Sequence, residues 1–163
     1  MGNLLIGFRS YEAKKNIETM VMSWGLNQDV IHCELFFMDY TPHQRFSSWN
    51  GSGVGFREIS AEQMGDLNHW TFYDLGTERY EQALYFAQSL QGKGYDLKTA
   101  IMSSMGLITN NADAYFCSEI CADVMQQVGY NILNVSASII LPHELETMVS
   151  PQFPKVQIND YIR

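Results

Sequence analysis

Two short stretches hold the residues that could do chemistry. In DAYFCSEICADVMQQVGY, from Asp113 to Tyr130, Cys117 and Cys121 stand one helical turn apart, and in VIHCELFF, His32 and Glu34 flank Cys33. A thiol becomes a nucleophile when its pKa is lowered, a base lies in reach and a third group orients that base. If a helix begins near Phe116 or Cys117, the Cys117 thiol sits at its N-terminal end, where unpaired amides and the helix dipole stabilise a thiolate. The same amides can stabilise the oxyanion of an acyl-transfer intermediate.

His32 is the distinctive base because it interrupts an apolar strand. Strand side chains alternate, so His32 and Glu34 share one face while Ile31, Cys33 and Leu35 share the other. Their Cβ atoms are then roughly 7 Å apart, a span that an imidazole and a carboxylate can close. A wet strand face accounts for the same two residues, and a buried structural thiol accounts for Cys117. His43, His69 and His143 are weaker candidates, the first two near strand ends and turns and the last in a helix first turn. Cys121, one turn deeper beside Ala122, reads as core. A disulfide with Cys117 inside one helix is awkward, because Cβ atoms at that spacing lie about 6 Å apart. Zinc needs further ligands, Cys33 points away from His32, and no Cys-x-x-Cys or His-x-x-x-His accompanies them, so no metal is expected.

The elements that must position these groups follow from pattern and punctuation. Asn3 to Arg9 has strand character, and Ser10 caps a helix from Tyr11 to about Trp24, ended by Gly25. Val30 to Tyr40 reads as a strand stopped at Thr41-Pro42. Phe46 to Ile59 suggests a hairpin around Asn50-Gly51, and His69 to Leu75 a further strand. Thr77 caps a helix with Tyr80, Ala83, Leu84, Ala87 and Leu90 on one face, closed by Gly92. Asp96 opens a short helix to about Ser104, and Phe116 to Val128 forms the cysteine helix with Gly129 just beyond. Ile139 to Leu141 reads as a strand fragment, Pro142 as the first turn of a final short helix, and Lys155 to Ile158 as an edge strand. Strand, helix, several strands and then helices is an α+β order.

The chain has 163 residues, 46% of them hydrophobic and 17% charged, which predicts one globular domain over residues 1–163. Ten Lys and Arg against eighteen Asp and Glu give a net charge of −8, and no basic stripe appears, which argues against a nucleic-acid partner. MGNLLIGFRSYE lacks the basic and apolar regions of a signal peptide and the Ser or Thr of a myristoylation site. No apolar run approaches a membrane span. Three cysteines without secreted-scaffold spacing point to a reducing, cytoplasmic setting.

The order and context of these motifs resemble the circularly permuted branch of the NlpC-like, papain-fold cysteine peptidases, in which the histidine strand precedes the cysteine helix. The matching segments are His32-Cys33-Glu34, Gly92-Lys93-Gly94-Tyr95-Asp96 and Cys117-Ser118-Glu119. FSSWNGSGVGFREI, followed by Trp70, also looks like the segment after the histidine strand in viral and bacterial members, and the likeness runs from about Leu4 to Met148. It implies a permuted papain-like fold, an antiparallel, partly barrel-like sheet packed against helices with the catalytic cysteine at a helix N-terminus. It implies Cys117 as nucleophile, His32 as general base and Glu34 as third polar group, with no cofactor. Tyr95 is expected to wall the cleft, and Ser118 and Glu119 to contribute to the substrate site, Glu119 serving also as a first-turn dipole partner. The function to expect is a cysteine peptidase or amidase working on a peptide, amide or acyl-ester carbonyl through a thioester. Two alternatives stand beside it: a lipid acyl hydrolase or acyltransferase of the lecithin:retinol acyltransferase type, and a non-catalytic binding module on the same fold. The polar ending PKVQINDYIR, without a hydrophobic anchor, counts against the lipid reading.

Overall fold

The apolar run VIHCELFF forms the strand next to the middle of an antiparallel sheet. In the computed structural model the described residues are 2–10, 29–38, 42–60, 64, 67–95, 114–132 and 140–162. The strands are β1 (Leu4–Ser10), β2 (Val30–Phe37), β3 (Gln44–Trp49), β4 (Gly53–Glu58), β5 (Trp70–Gly76), β6 (Gly94–Tyr95), β7 (Ala114–Tyr115) and β8 (Lys155–Val156). The helices are α1 (Tyr80–Leu90), α2 (Cys117–Gln127) and α3 (Pro142–Val149). Six strands make one sheet in the order β4-β3-β2-β1-β5-β8, and β6 and β7 form a separate parallel pair. The protein is thus α+β, an antiparallel sheet packed against helices, and the described sheet is open, with β4 and β8 at its edges.

Both faces of the sheet are buried. Leu4, Ile6, Phe8, Cys33, Leu35, Phe37 and Phe46 pack with the three helices in one core. Leu5, Phe36, Trp70 and Phe72 on the other face pack with Met38, Met64 and Ile158 in a second. Two-sided burial explains why β2 reads as a near-continuous apolar run with only two polar interruptions. Gly7 sits directly opposite Glu34 on β2 and Phe72 on β5. A Cβ there would come within 2.7 Å of Phe36 and 2.9 Å of Phe72, so the second core closes only over a glycine.

Several expected elements shift at their ends. The strand expected over Val30–Tyr40 stops at Phe37. The hairpin opens at Gln44 rather than Phe46, and its turn spans Asn50–Ser52, with Gly51 and Gly53 both at positive φ. The predicted face of α1 is the buried one, Tyr80, Ala83, Leu84, Ala87 and Leu90. Thr77 contributes its carbonyl to Tyr80 N–H, and Arg79 takes the N-cap position without a side-chain cap. Positive φ at Gly92 and Gly129 ends α1 and α2 as expected. The edge strand is shorter, Lys155–Val156, and a 3₁₀ turn follows at Ile158–Asp160. Ile140 is buried but not in a strand. The helices expected over Tyr11–Trp24 and Asp96–Ser104 lie outside the described residues. Among the described residues no helix is long and apolar enough to cross a membrane.

Candidate active site

β2 and β3 pair only at Leu35–Phe46, Phe36–Arg45 and Phe37–Gln44. Nearer the start of β2 the ladder stops, and Ser47 Oγ donates to the Cys33 carbonyl at 2.8 Å in place of a backbone partner. α2 packs against both strands at this opening, which is how a helix on one face of the sheet delivers a thiol to a histidine belonging to the other. Cys117 is the first residue of α2, with Phe116 as an extended N-cap. Glu119 accepts the Phe116 N–H at 2.9 Å, which fixes the helix start and places a carboxylate in the favourable first turn. The first intrahelical bond runs from Ile120 N–H to the Phe116 carbonyl at 3.1 Å, so the N–H groups of residues 117–119 have no intrahelical acceptor.

The Cys117 thiol is buried, and the His32 ring and Cys33 are the neighbours that set its titration. Burial alone would raise its pKa. The Cys33 bonds and the charge and hydrogen bond of His32 overcome that and bring it down to about 5. Burial would likewise lower His32, but the Cys117 thiolate and the Glu34 carboxylate outweigh it and raise the imidazole to about 10. The two opposed shifts favour a thiolate–imidazolium pair. His32 remains 21% exposed at its side chain, so the pair opens to solvent on the imidazole side.

Glu34, only 1% exposed, anchors the pair from behind. His32 Nε2 lies 2.8 Å from its Oε1, which leaves Nδ1 as the ring atom for Cys117. Arg45 Nη1 donates to both carboxylate oxygens at 2.9 and 3.0 Å, and Trp49 Nε1 donates to Oε1 at 3.1 Å. Although burial opposes ionisation, the bonds and charges of His32, Arg45 and Trp49 hold the carboxyl below its ordinary range. Trp70 stands edge-on to the imidazole, with ring centroids 6.4 Å apart, and Arg9 lies 5.9 Å above the Trp70 ring.

The structure brings together Cys117, His32 and Glu34, the three residues that the sequence singles out for chemistry. Ser118 and Glu119, expected in the substrate site, face inward: the Ser118 hydroxyl donates to the Ile140 carbonyl, and Glu119 holds the helix start. Both are buried, and their polar atoms organise α2 rather than line a surface. The Tyr95 backbone lies in β6, opposite Tyr115 of β7 and just ahead of the α2 N-cap; its side chain is outside the described residues. Cys121 is core, its thiol 3.8 Å from the Cys33 carbonyl.

Sequence reasoning missed three members of the site. Cys33 points away from His32, as alternation requires, but towards α2, so all three cysteines of the chain meet there. Burial, and then the Cys117 and Cys121 thiols, push Cys33 well above the usual thiol range, so it stays protonated and can donate to its neighbour. Arg45 and Trp49 occupy alternate positions of β3 on the Glu34 face. The signal available was an arginine placed two residues from a serine and four from a tryptophan in an otherwise apolar hairpin arm. His43, His69 and His143 are each half-buried. Among the described residues no group of three or more His, Cys, Asp or Glu side chains is arranged to hold a metal ion.

No protein-family model and no curated protein matches the chain. Among solved structures it is similar to the metalloprotein yiiX from Escherichia coli O157:H7, DUF1105, with a TM-score of 0.66 over 96% of each chain at 14% identity. At that identity the likeness is one of fold.

Proposed function

We propose that this protein is a cysteine hydrolase of permuted papain-like fold that cleaves an amide bond through Cys117, His32 and Glu34. The observation that carries the reading is one arrangement: a thiol at a helix N-terminus, a histidine close enough for its charge to lower that thiol's pKa, and a buried carboxylate 2.8 Å from the histidine's Nε2. A structural cysteine needs none of this, whereas an activated nucleophile needs all three parts.

In the proposed reaction the Cys117 thiolate attacks the substrate carbonyl carbon, and the carbonyl π electrons move onto oxygen. N–H groups at the start of α2 stabilise that oxyanion. The His32 imidazolium gives its Nδ1 proton to the departing amine as the C–N bond breaks, leaving a thioester on Cys117. Neutral His32 then takes a proton from water, the hydroxide oxygen adds to the thioester, and the acid departs as the thiolate is restored. Glu34 keeps Nε2–H as a donor throughout, and so holds the ring in the tautomer that presents Nδ1. The yiiX protein is described as a metalloprotein; the steps proposed here use only the side chains of Cys117, His32 and Glu34.

The experiment is acyl-enzyme trapping. The protein is incubated with an activated acyl donor, quenched in acid and mapped by mass spectrometry. The acyl group is expected on Cys117, removable by hydroxylamine and absent from Cys117→Ala. Acylation spread over other residues, or equal in Cys117→Ala, contradicts the reading.

A further inference from the structure

Arg57 of β4 faces Arg45 of β3 directly across the ladder. Like charges in directly opposed positions destabilise a strand pair, so such a pair needs a compensating reason. Arg45 has one, since Glu34 takes its charge. Arg57 has none of that kind: among the described residues its guanidinium meets no carboxylate. It lies over the Trp49 ring with Cζ 4.1 Å from the centroid, and Nη2 donates to Ser52 Oγ at 2.6 Å. Stacking from one side and a hydroxyl at one edge hold the fork in place, and Glu34 acts on its charge from a distance without bonding it.

A cavity of about 310 Å³ opens beside this guanidinium, lined by Trp49, Ser52, Arg57, Gln91 and the glycine-bearing backbone of the hairpin. Its size suits a small polar group rather than a long acyl chain. Gly53, at φ +70°, lets the Lys93 carbonyl pack against the hairpin, where it accepts the Val54 N–H at 2.8 Å. That bond ties the cavity to the segment running into β6, which pairs with β7 immediately before Cys117. Trp49 forms the cavity wall, stacks under Arg57 and donates to Glu34, so the cavity and the catalytic carboxylate share one side chain.

We propose that this cavity is a substrate subsite in which Arg57, presented by Trp49 and Ser52, binds a carboxylate borne by the substrate beyond its scissile carbonyl. A planar carboxylate matches the guanidinium fork and supplies a bonded anionic partner for Arg57. The subsite deepens the hydrolase reading and rests on it: Cys117 attacks, and Arg57 selects which acyl or amine component is offered.

The test compares anionic and neutral thiol reagents on the intact protein. Maleimidoalkanoic acids of increasing chain length are paired with N-alkylmaleimides of matching length, and labelling of Cys117 is timed by mass spectrometry. Each anionic-to-neutral rate ratio is normalised to that of a small neutral free thiol. At one chain length the normalised ratio should rise about fivefold, the scale of a partly exposed charge pair, and shrink with added salt. Arg57→Gln should return the ratio to that of the free thiol, and Arg57→Lys should retain part of it. A ratio that never departs from the free thiol's, or one unmoved by Arg57→Gln, overturns the subsite. The neutral reagent alone judges the underlying reading: ordinary thiol reactivity there counts against an activated Cys117, whereas fast neutral labelling with no anionic preference removes only the subsite. If Arg57→Gln does not fold, the wild-type ratio, its salt dependence and Arg57→Lys still decide the matter.

Discussion

His32 Nε2 and Glu34 Oε1 are 2.8 Å apart although the two residues are same-face neighbours on a single strand. Their Cβ atoms start roughly 7 Å apart, so both side chains must turn towards each other, and Arg45 and Trp49 fix the carboxylate in that orientation. Glu34→Gln keeps the shape and removes the charge that favours the imidazolium. The His32 midpoint, near 10 in the wild type, is expected to fall by about one unit in Glu34→Gln, read from the imidazole signals by NMR titration. An unchanged His32 midpoint would assign Glu34 to the core alone.

Arg45 neutralises a carboxylate from which water is excluded. Removing one partner of a buried ion pair leaves the other charge uncompensated, which costs about 3–5 kcal/mol. Arg45→Met should therefore lower the denaturant midpoint strongly, and adding Glu34→Gln should restore part of the loss. Additive losses in that double-mutant cycle would show that the pair is not coupled.

The thiolate–imidazolium pair links stability to pH in a defined window. The folded Cys117 thiol titrates near 5 against an ordinary value of 9.0, and His32 near 10 against 6.5. Between about 5 and 6.5 the unfolded chain binds one more proton at this pair than the folded one, so stability rises with pH. Between 6.5 and 9.0 the proton counts are equal and the contribution is flat; from 9.0 to about 10 the folded state holds the extra proton and stability falls. Thermal melts across this range should show that plateau in the wild-type protein and lose its shoulders in the Cys117→Ala, His32→Ala double variant. Identical profiles would place the ion pair's energetic role elsewhere.

Gly7 makes room for Phe36 and Phe72 directly opposite Glu34. Gly7→Ala inserts a methyl group into a closed core and should cost about 1–3 kcal/mol. Melting of Gly7→Ala at the wild-type temperature would mean that the second core yields without strain.

The elements readable in the sequence were those whose burial follows one local period. Tyr80, Ala83, Leu84, Ala87 and Leu90 mark one helix face and are its buried face in the protein. The residue pair on β2 was readable because a histidine and a glutamate at period two interrupt an apolar run. What escaped depends on non-local geometry. Nothing in QRFSSW states that β3 leaves β2 after Leu35, yet that parting lets Cys117 reach His32 and draws Cys33 into the site. Arg45 looks like an ordinary strand arginine until Glu34 is seen across from it. Ser118 and Glu119 are expected in the substrate site from the resemblance, whereas helical geometry turns both inward, Ser118 to Ile140 and Glu119 to its own N-cap, where it fills the expected first-turn role.

The most direct test of the central claim is the pH dependence of Cys117 reactivity with a neutral alkylating reagent, in the wild-type protein and in His32→Ala. The wild type should label with a midpoint near 5, far below the ordinary 9.0. His32→Ala should return the midpoint to the ordinary thiol range or above it, because burial then acts without an opposing charge. Coincident midpoints in the two proteins, both in the ordinary thiol range, would contradict the account.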